Sequence, residues 1–292
     1  MNVLSHEKTE AHKPGDYRSD LKPIWCKGCG NFGVLSCIHR ALAQIGTPPH
    51  EVAVVSGIGC SSRLPGYCAT YGFNAIHGRA LPIATGVKMA NPNMNVLVAG
   101  GDGDGLSIGG GHFPHAGRRN VDITYIMMDN SIYGLTKGQA SPSTPWGDQT
   151  KSTPYGTPDT PLDAVTLALV YNVSFVARCS VSDIPHLEKT LVAAIEHKGF
   201  SFIHVTLPCP TFRGMDRFKE MKSKVEYLEE DFWKRDRCAA LQYASRQDGV
   251  MSLGIYRKET RPTLEDSMYK IGENARSLGR KSVQDILHQF YP

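Results

Sequence analysis

Val96-Leu97-Val98-Ala99-Gly100-Gly101-Asp102-Gly103-Asp104-Gly105 is an apolar run that breaks into a glycine-rich acidic turn. A short aliphatic run bounded by turn residues reads as a buried strand, and the apolar spacing beyond it predicts a helix over Leu106–Arg119. In a parallel sheet this puts Asp102 at the carboxyl end of a strand, where ligands bind and where the following helix presents free N–H groups to phosphate. Glycines let the backbone approach such a ligand closely. A carboxylate in that place would repel a diphosphate unless a hard cation stood between them, so Asp102 reads as a Mg²⁺ ligand.

Moving outward, the same alternation of apolar strand and amphipathic helix fills the chain from Gly30 to Leu207. Helices are expected over Gly30–Ile45, Leu81–Ala90, Leu162–Tyr171 and Ile184–His197. The strands between them are expected at Glu51–Ser56, Asn95–Ala99, Asp122–Met128, Ser174–Arg178 and Phe202–Leu207. Strands apolar on both faces and separated by helices define an α/β fold, a parallel sheet with helices on both faces. A Gly/Pro/Ser/Thr-rich stretch from Lys137 to Pro161 interrupts the pattern, and a loop that long inside a domain is usually functional.

The strand ending at Met128 leads into Asp129-Asn130-Ser131-Ile132-Tyr133-Gly134, so the neutral amide oxygen of Asn130 is a second hard ligand at a neighbouring strand end. Four of the eight cysteines fall at comparable places. Cys26 and Cys29 form a C-x-x-C ahead of a helix, Cys60 follows the first strand, and Cys209 follows the last. Gly28 and Gly30 leave room for backbone N–H groups beside sulfur. By spacing alone the set suits an iron–sulfur cluster, a Cys₄ zinc, or a dithiol pair at Cys26 and Cys29. Cys37, Cys68, Cys179 and Cys238 belong to no motif.

Composition sets further bounds. The net charge of +4, with both signs interspersed, gives no nucleic-acid surface, and no apolar run is long enough to span a membrane. The first residues carry no signal-peptide pattern, so a cytoplasmic protein is expected, in which thiols stay reduced. No G-x-G-x-x-G follows the first strand and no Walker lysine motif occurs, which disfavours nicotinamide dinucleotide and P-loop chemistry. Three units are expected: an N-terminal arm over 1–20, a cofactor-binding domain over 21–212, and a C-terminal helical extension over 213–292. That extension holds 16 Lys plus Arg and 13 Asp plus Glu, and is expected to be anchored by Phe232, Trp233, Tyr243 and Phe290.

Taken in order, WCKGCG, GIGCSSR, HGRALPIATGVKMANP, GDGDG, DNSIYGLTKGQ and LPCP closely resemble the beta subunit of 2-oxoacid:ferredoxin oxidoreductases, over roughly residues 22–215. The resemblance implies a thiamine-diphosphate-binding fold of the pyrophosphate-binding type. It implies Mg²⁺ on Asp102, Asn130 and the Ile132 carbonyl, and one [4Fe–4S] cluster on Cys26, Cys29, Cys60 and Cys209. Asp129 stands where many members of the family have a first Asn. Cofactor contacts are implied for Ile58, Gly59, Cys60, Ser61, His77, Gly103, Asp104, Gly134 and Leu135. The implied reaction is reversible oxidative decarboxylation of a 2-oxo acid with coenzyme A as co-substrate and ferredoxin as electron acceptor.

The chain is too short to include a pyrimidine-binding domain with its catalytic Glu, so an alpha partner subunit is implied, in a dimer of heterodimers. Arg63 in CSSR can pair bidentately with a distal carboxylate, which favours 2-oxoglutarate, with Leu135 and Lys137 lining the pocket. The competing readings are a pyruvate or broad-specificity oxidoreductase, and a non-redox thiamine-dependent decarboxylase or lyase subunit with structural zinc.

Overall fold

In the computed structural model residues 12–246, 248–279 and 281–291 are described, without the side chains of Arg217 and Met221. Eight strands form one sheet: β1 (Val52–Ser56), β2 (Tyr71–Asn74), β3 (Asn95–Gly101), β4 (Thr124–Asp129), β5 (Phe175–Ser180), β6 (Ser201–Thr206), β7 (Val225–Tyr227) and β8 (Met251–Lys258). Their order is β2-β1-β3-β4-β6-β5-β8-β7. The first six strands in that order run parallel, and β8 pairs antiparallel with β5. The central strands β1, β4, β5 and β6 are buried along their whole length, as strands covered on both faces must be.

Among the described residues nine α-helices accompany them: α1 (Asn31–Ile45), α2 (Ala80–Ala90), α3 (Phe113–Arg119), α4 (Ala164–Val170), α5 (Ile184–Ile195), α6 (Asp216–Ser223), α7 (Arg237–Ala244), α8 (Leu264–Ser277) and α9 (Val283–Leu287). Two apolar layers result. One packs α1 and α5 on the face carrying Leu97, Ile126, Ala177 and Ile203. The other packs α2, α3, α4 and α7 on the face carrying Val98, Met127, Val176 and Phe202. Among the described residues no helix is long and apolar enough to cross a membrane.

Four expectations change. The helix expected over Leu106–Arg119 is broken: a π-helical turn, Gly103–Ile108, ends at a non-helical Ser107, and α3 begins after Gly109-Gly110-Gly111. Three glycines in a row remove the helical bias, which lets the first turn close tightly over the strand end.

The expected C-terminal helical extension also supplies β7 and β8, so the sheet runs on past residue 212 and is not wholly parallel. Strand β8 buries Ser252, Leu253, Gly254 and Tyr256, and its partner β5 already offers an open edge. The third change concerns the anchors: Phe232 is buried, Trp233 is half-buried and Tyr243 packs on the core, but Phe290 is 79% exposed.

Of the expected N-terminal arm, residues 1–11 lie outside the described residues. The rest does not stand off: Tyr17 is fully buried and its hydroxyl donates to the Thr47 carbonyl at 2.6 Å.

Candidate functional site

The carboxyl ends of β1, β3 and β4 open into a cavity of about 440 Å³. The β3–β4 register pairs Gly101 with Met128, so Asp102 and the Asp129–Ile132 turn emerge side by side. Asp102, Asn130 and Ile132 all line the cavity. The Asn130 side-chain oxygen accepts the Ile132 N–H at 3.1 Å, which shapes the turn around that oxygen.

Asp102 is almost fully buried, and burial together with the nearby Asp129 carboxylate pushes its carboxyl up to about 7. Ser143 Oγ, from the long loop, lies 2.8 Å from both Asp102 Oδ2 and Asp129 Oδ1. A hydroxyl has one hydrogen, so both contacts are satisfied when Asp102 keeps its proton and donates to Ser143, which donates to Asp129. A divalent cation on Asp102 displaces that proton.

Asp129 itself points away from the cavity. Its carboxylate accepts the Ser131 N–H at 2.8 Å and meets His204 Nε2 at 2.9 Å. Those donors, with His204 first, hold its pKa below the ordinary value in spite of full burial. The departure at this position is therefore absorbed by a dedicated set of donors on the far side of the turn.

Asp104 lines the cavity, and its carboxylate Oδ1 accepts from Ile58 N at 2.9 Å and Gly78 N at 2.8 Å, and meets His77 Nδ1 at 2.8 Å. It thus ties the β1 loop, the His77 loop and the π-helical turn into one wall. An added Cβ on Gly57 would stand 2.0 Å from Asp104 Oδ2, and one on Gly103 would stand 2.2 Å from the Tyr133 ring. Both glycines are required by these close approaches. Since a carboxylate accepts only, His77 carries its hydrogen on Nδ1.

Cys60 lines this cavity, and Cys26, Cys29 and Cys209 lie close enough to it and to one another to interact electrostatically. A side-chain carbon built on Gly134 would lie 3.5 Å from Cys60 Sγ and 3.8 Å from Cys209 Sγ. Burial pushes the Cys29 thiol up to about 11, and Cys60, Cys209 and Cys26 each add to the rise. Burial raises Cys60 and Cys209 as well, and each of the two is raised further by Cys26. Only the Asn31 N–H opposes the rise at Cys29, and the Phe212 and Thr211 N–H groups oppose it at Cys209. Among the described residues no three His, Cys, Asp or Glu side chains converge tightly enough to hold one metal ion. Of the other cysteines, Cys37, Cys68 and Cys179 are buried in the core and Cys238 is exposed.

Ile58, Gly59, Ser61, His77, Gly103, Gly134 and Leu135, named above as cofactor contacts, line the cavity. Arg63 and Lys137 do not line it and are exposed, although Arg63 is near enough to lower the Cys60 pKa. Four residues of the site were not singled out from sequence. Asn31, 1% exposed, lines the cavity with neither side-chain polar atom bonded to protein; Tyr133 lines it too, and Ser143 and His204 bond the strand-end carboxylates. Asn31 directly follows the C-x-x-C-G motif, so its place next to Cys29 was a usable signal. Tyr133 lies within the DNSIYGLTKGQ motif, whereas Ser143 and His204 lie in no motif.

Residues 57–205 match the family described as thiamine pyrophosphate enzyme, C-terminal TPP binding domain. The chain is 38% identical to 2-oxoacid:ferredoxin oxidoreductase 2, subunit beta, of Aeropyrum pernix, across 88% of this chain and 87% of that one. It is 41% identical to the 2-oxoglutarate synthase subunit KorB of Archaeoglobus fulgidus, across 84% and 88%. A solved 2-oxoglutarate:ferredoxin oxidoreductase from Magnetococcus marinus, with 2-oxoglutarate, coenzyme A and succinyl-CoA bound, superposes with a TM-score of 0.92 at 40% identity and covers all of both chains. Similarity of this extent, running through the site as well as the scaffold, places the chain among the beta subunits of the 2-oxoacid:ferredoxin oxidoreductases.

Proposed function

We propose that this chain, assembled with an alpha subunit, carries out the reversible, coenzyme A-dependent oxidative decarboxylation of 2-oxoglutarate and passes the electrons to ferredoxin. The observation that carries the reading is that Asp102, Asn130, Ile132 and Cys60 line one cavity, with Cys26, Cys29 and Cys209 close enough to Cys60 to influence one another.

The residues present fit the groups this requires. Asp102, raised to about 7, is stabilised as a carboxylate by a cation such as Mg²⁺, with Asn130 Oδ1 and the Ile132 carbonyl as its neutral companions. Asn31 offers an unbonded amide to whatever fills the cavity. Thiols raised by burial and by one another favour the thiolate form once iron supplies positive charge. Sulfurs that influence one another without converging on a single ion suit a [4Fe–4S] cluster better than tetrahedral zinc.

When bound, thiamine diphosphate supplies the carbon nucleophile and electron sink for decarboxylation, and the cluster accepts electrons singly. The chain's own contribution is geometric. The Gly103–Ile108 turn presents backbone N–H groups to phosphate, the Asp104 knot holds Ile58 and His77 against the cofactor, and Leu135 covers the cavity mouth. The alpha subunit supplies the pyrimidine-binding half. Arg63, exposed beside the cysteine end, meets the distal carboxylate of 2-oxoglutarate at the subunit boundary. That substrate is also the one named for the Archaeoglobus and Magnetococcus relatives.

The test is anaerobic co-purification with the alpha subunit, followed by iron, sulfide and zinc analysis and a visible spectrum. About four irons per chain are expected, with absorbance bleached by 2-oxoglutarate plus coenzyme A. Stoichiometric zinc without a chromophore would refute the redox reading, and bleaching by pyruvate alone would remove 2-oxoglutarate as the substrate.

A further inference from the structure

Beneath the metal turn a line of buried polar side chains crosses four neighbouring strands. On β4 Asp129 lies two residues from Met127, whose register partner on β6 is His204; the partner of His204 on β5 is Arg178; and Arg178 pairs with Gly254 of β8, two residues from Tyr256. Period-two alternation puts Asp129, His204 and Arg178 on one face, and Tyr256, at the bulge in the β5–β8 pairing, joins them there by its packing with Val176 and Phe202 and its bond to Arg178. They are connected: Arg178 Nε donates to His204 Nδ1 at 3.3 Å, His204 Nε2 meets Asp129 Oδ2 at 2.9 Å, and Arg178 Nη1 donates to the Tyr256 hydroxyl at 3.3 Å. That hydroxyl donates in turn to the Ser252 carbonyl at 2.8 Å. Arg178 also forms an ion pair with Asp163, the N-cap of α4, which balances its charge.

The donors fix the direction of the line. A guanidinium can only donate, so His204 Nδ1 must accept, which leaves the imidazole hydrogen on Nε2 aimed at Asp129. Asp129 precedes Asn130 directly, and its two oxygens are held from opposite sides, by Ser131 N and Ser143 on one and by His204 on the other. Rotation of that carboxylate would drag the turn that aims the Asn130 amide and the Ile132 carbonyl.

We propose that Arg178 and His204 are positioning residues that lock Asp129 and thereby set Asn130 and Ile132 for the metal, with Tyr256 of β8 bracing the far end. This gives the C-terminal segment a task in cofactor binding, and it rests on the Mg²⁺ site proposed above. Partners in this kind of outer layer typically change metal affinity by about 10–100-fold when removed.

The experiment measures, in the assembled complex, the Mg²⁺ concentration that half-saturates thiamine diphosphate binding, alongside iron content and kcat at saturating Mg²⁺. His204→Leu is expected to raise that concentration by about 10–100-fold, with iron and kcat unchanged. His204→Gln, whose amide N–H can replace Nε2–H, is expected to recover most of the loss, and Tyr256→Phe to give a smaller rise. Wild-type Mg²⁺ dependence in His204→Leu, or a glutamine variant as weak as the leucine one, overturns the relay. Should the leucine variant fail to assemble, wild-type Mg²⁺ dependence in Tyr256→Phe overturns it instead. Asp102→Asn is run in parallel: retained binding there overturns the metal site itself, whereas lost binding there with an unchanged His204→Leu overturns the relay alone.

Discussion

Two groups of buried ionisable side chains share the cavity, and they are stabilised in opposite ways. At the strand ends, Asp129 is held by donors in place before any ligand arrives, Ser143, the Ser131 N–H and His204, and Asp102 shares the Ser143 hydroxyl with it. At the cysteine edge, three thiols are raised by burial and by one another, with a few backbone N–H groups as opposition. The first arrangement is a preorganised oxygen site. The second would become favourable with the charge of a bound metal, so in the function proposed above a cluster would act as a structural element of its own loops while Mg²⁺ would enter a frame that already stands.

The largest effect should come from breaking the cysteine edge. Cys29→Ser is expected to lose the visible chromophore and all electron transfer to an acceptor. Calorimetry should still register thiamine diphosphate binding in that variant, since the oxygen site is built from other strands. Loss of cofactor binding together with the cluster would erase the distinction between the two regions.

The oxygen site should respond to protons. Its cation competes with the proton on Asp102, so below about pH 7 the apparent Mg²⁺ affinity for cofactor assembly is expected to fall about tenfold per pH unit. Above that pH it should level off. A flat profile between pH 5 and 7, measured by Mg²⁺ titration, would show that Asp102 is already ionised without the cation.

The smallest effect belongs to the rim. Arg63→Ala is expected to raise KM for 2-oxoglutarate about tenfold through loss of a charge-assisted pair, while KM for pyruvate stays constant. Equal changes for both acids would move Arg63 from substrate recognition to the subunit boundary alone.

What could be read from sequence follows from how local each signal is. Strands β1, β3, β4, β5 and β6 are apolar runs bounded by turns, so their positions were legible to within a few residues. Strand β2 is four residues with every side chain exposed, and β7 and β8 sit in the most charged part of the chain, where only the open edge of β5 selects a strand. The proposed metal ligands, Asp102, Asn130 and Ile132, could be picked out because glycine, aspartate and asparagine cluster at strand ends. Their supports were not: His204 meets Asp129 across 75 residues and Ser143 meets Asp102 across 41, each as a lone polar residue in an ordinary strand or loop. Arg63 and Lys137 read as pocket residues because they sit in motifs, yet their long side chains extend outward from the turns that carry them.

The most direct test of the account is the cofactor and iron content of Asp102→Ala, purified anaerobically as the assembled complex with saturating Mg²⁺ and thiamine diphosphate. The expected result is a complex that retains its iron and sulfide, binds no thiamine diphosphate, and is not bleached by 2-oxoglutarate plus coenzyme A. Wild-type cofactor content, or iron lost in step with the cofactor, would contradict a cavity in which a preformed oxygen site and a metal-dependent cysteine site are built separately.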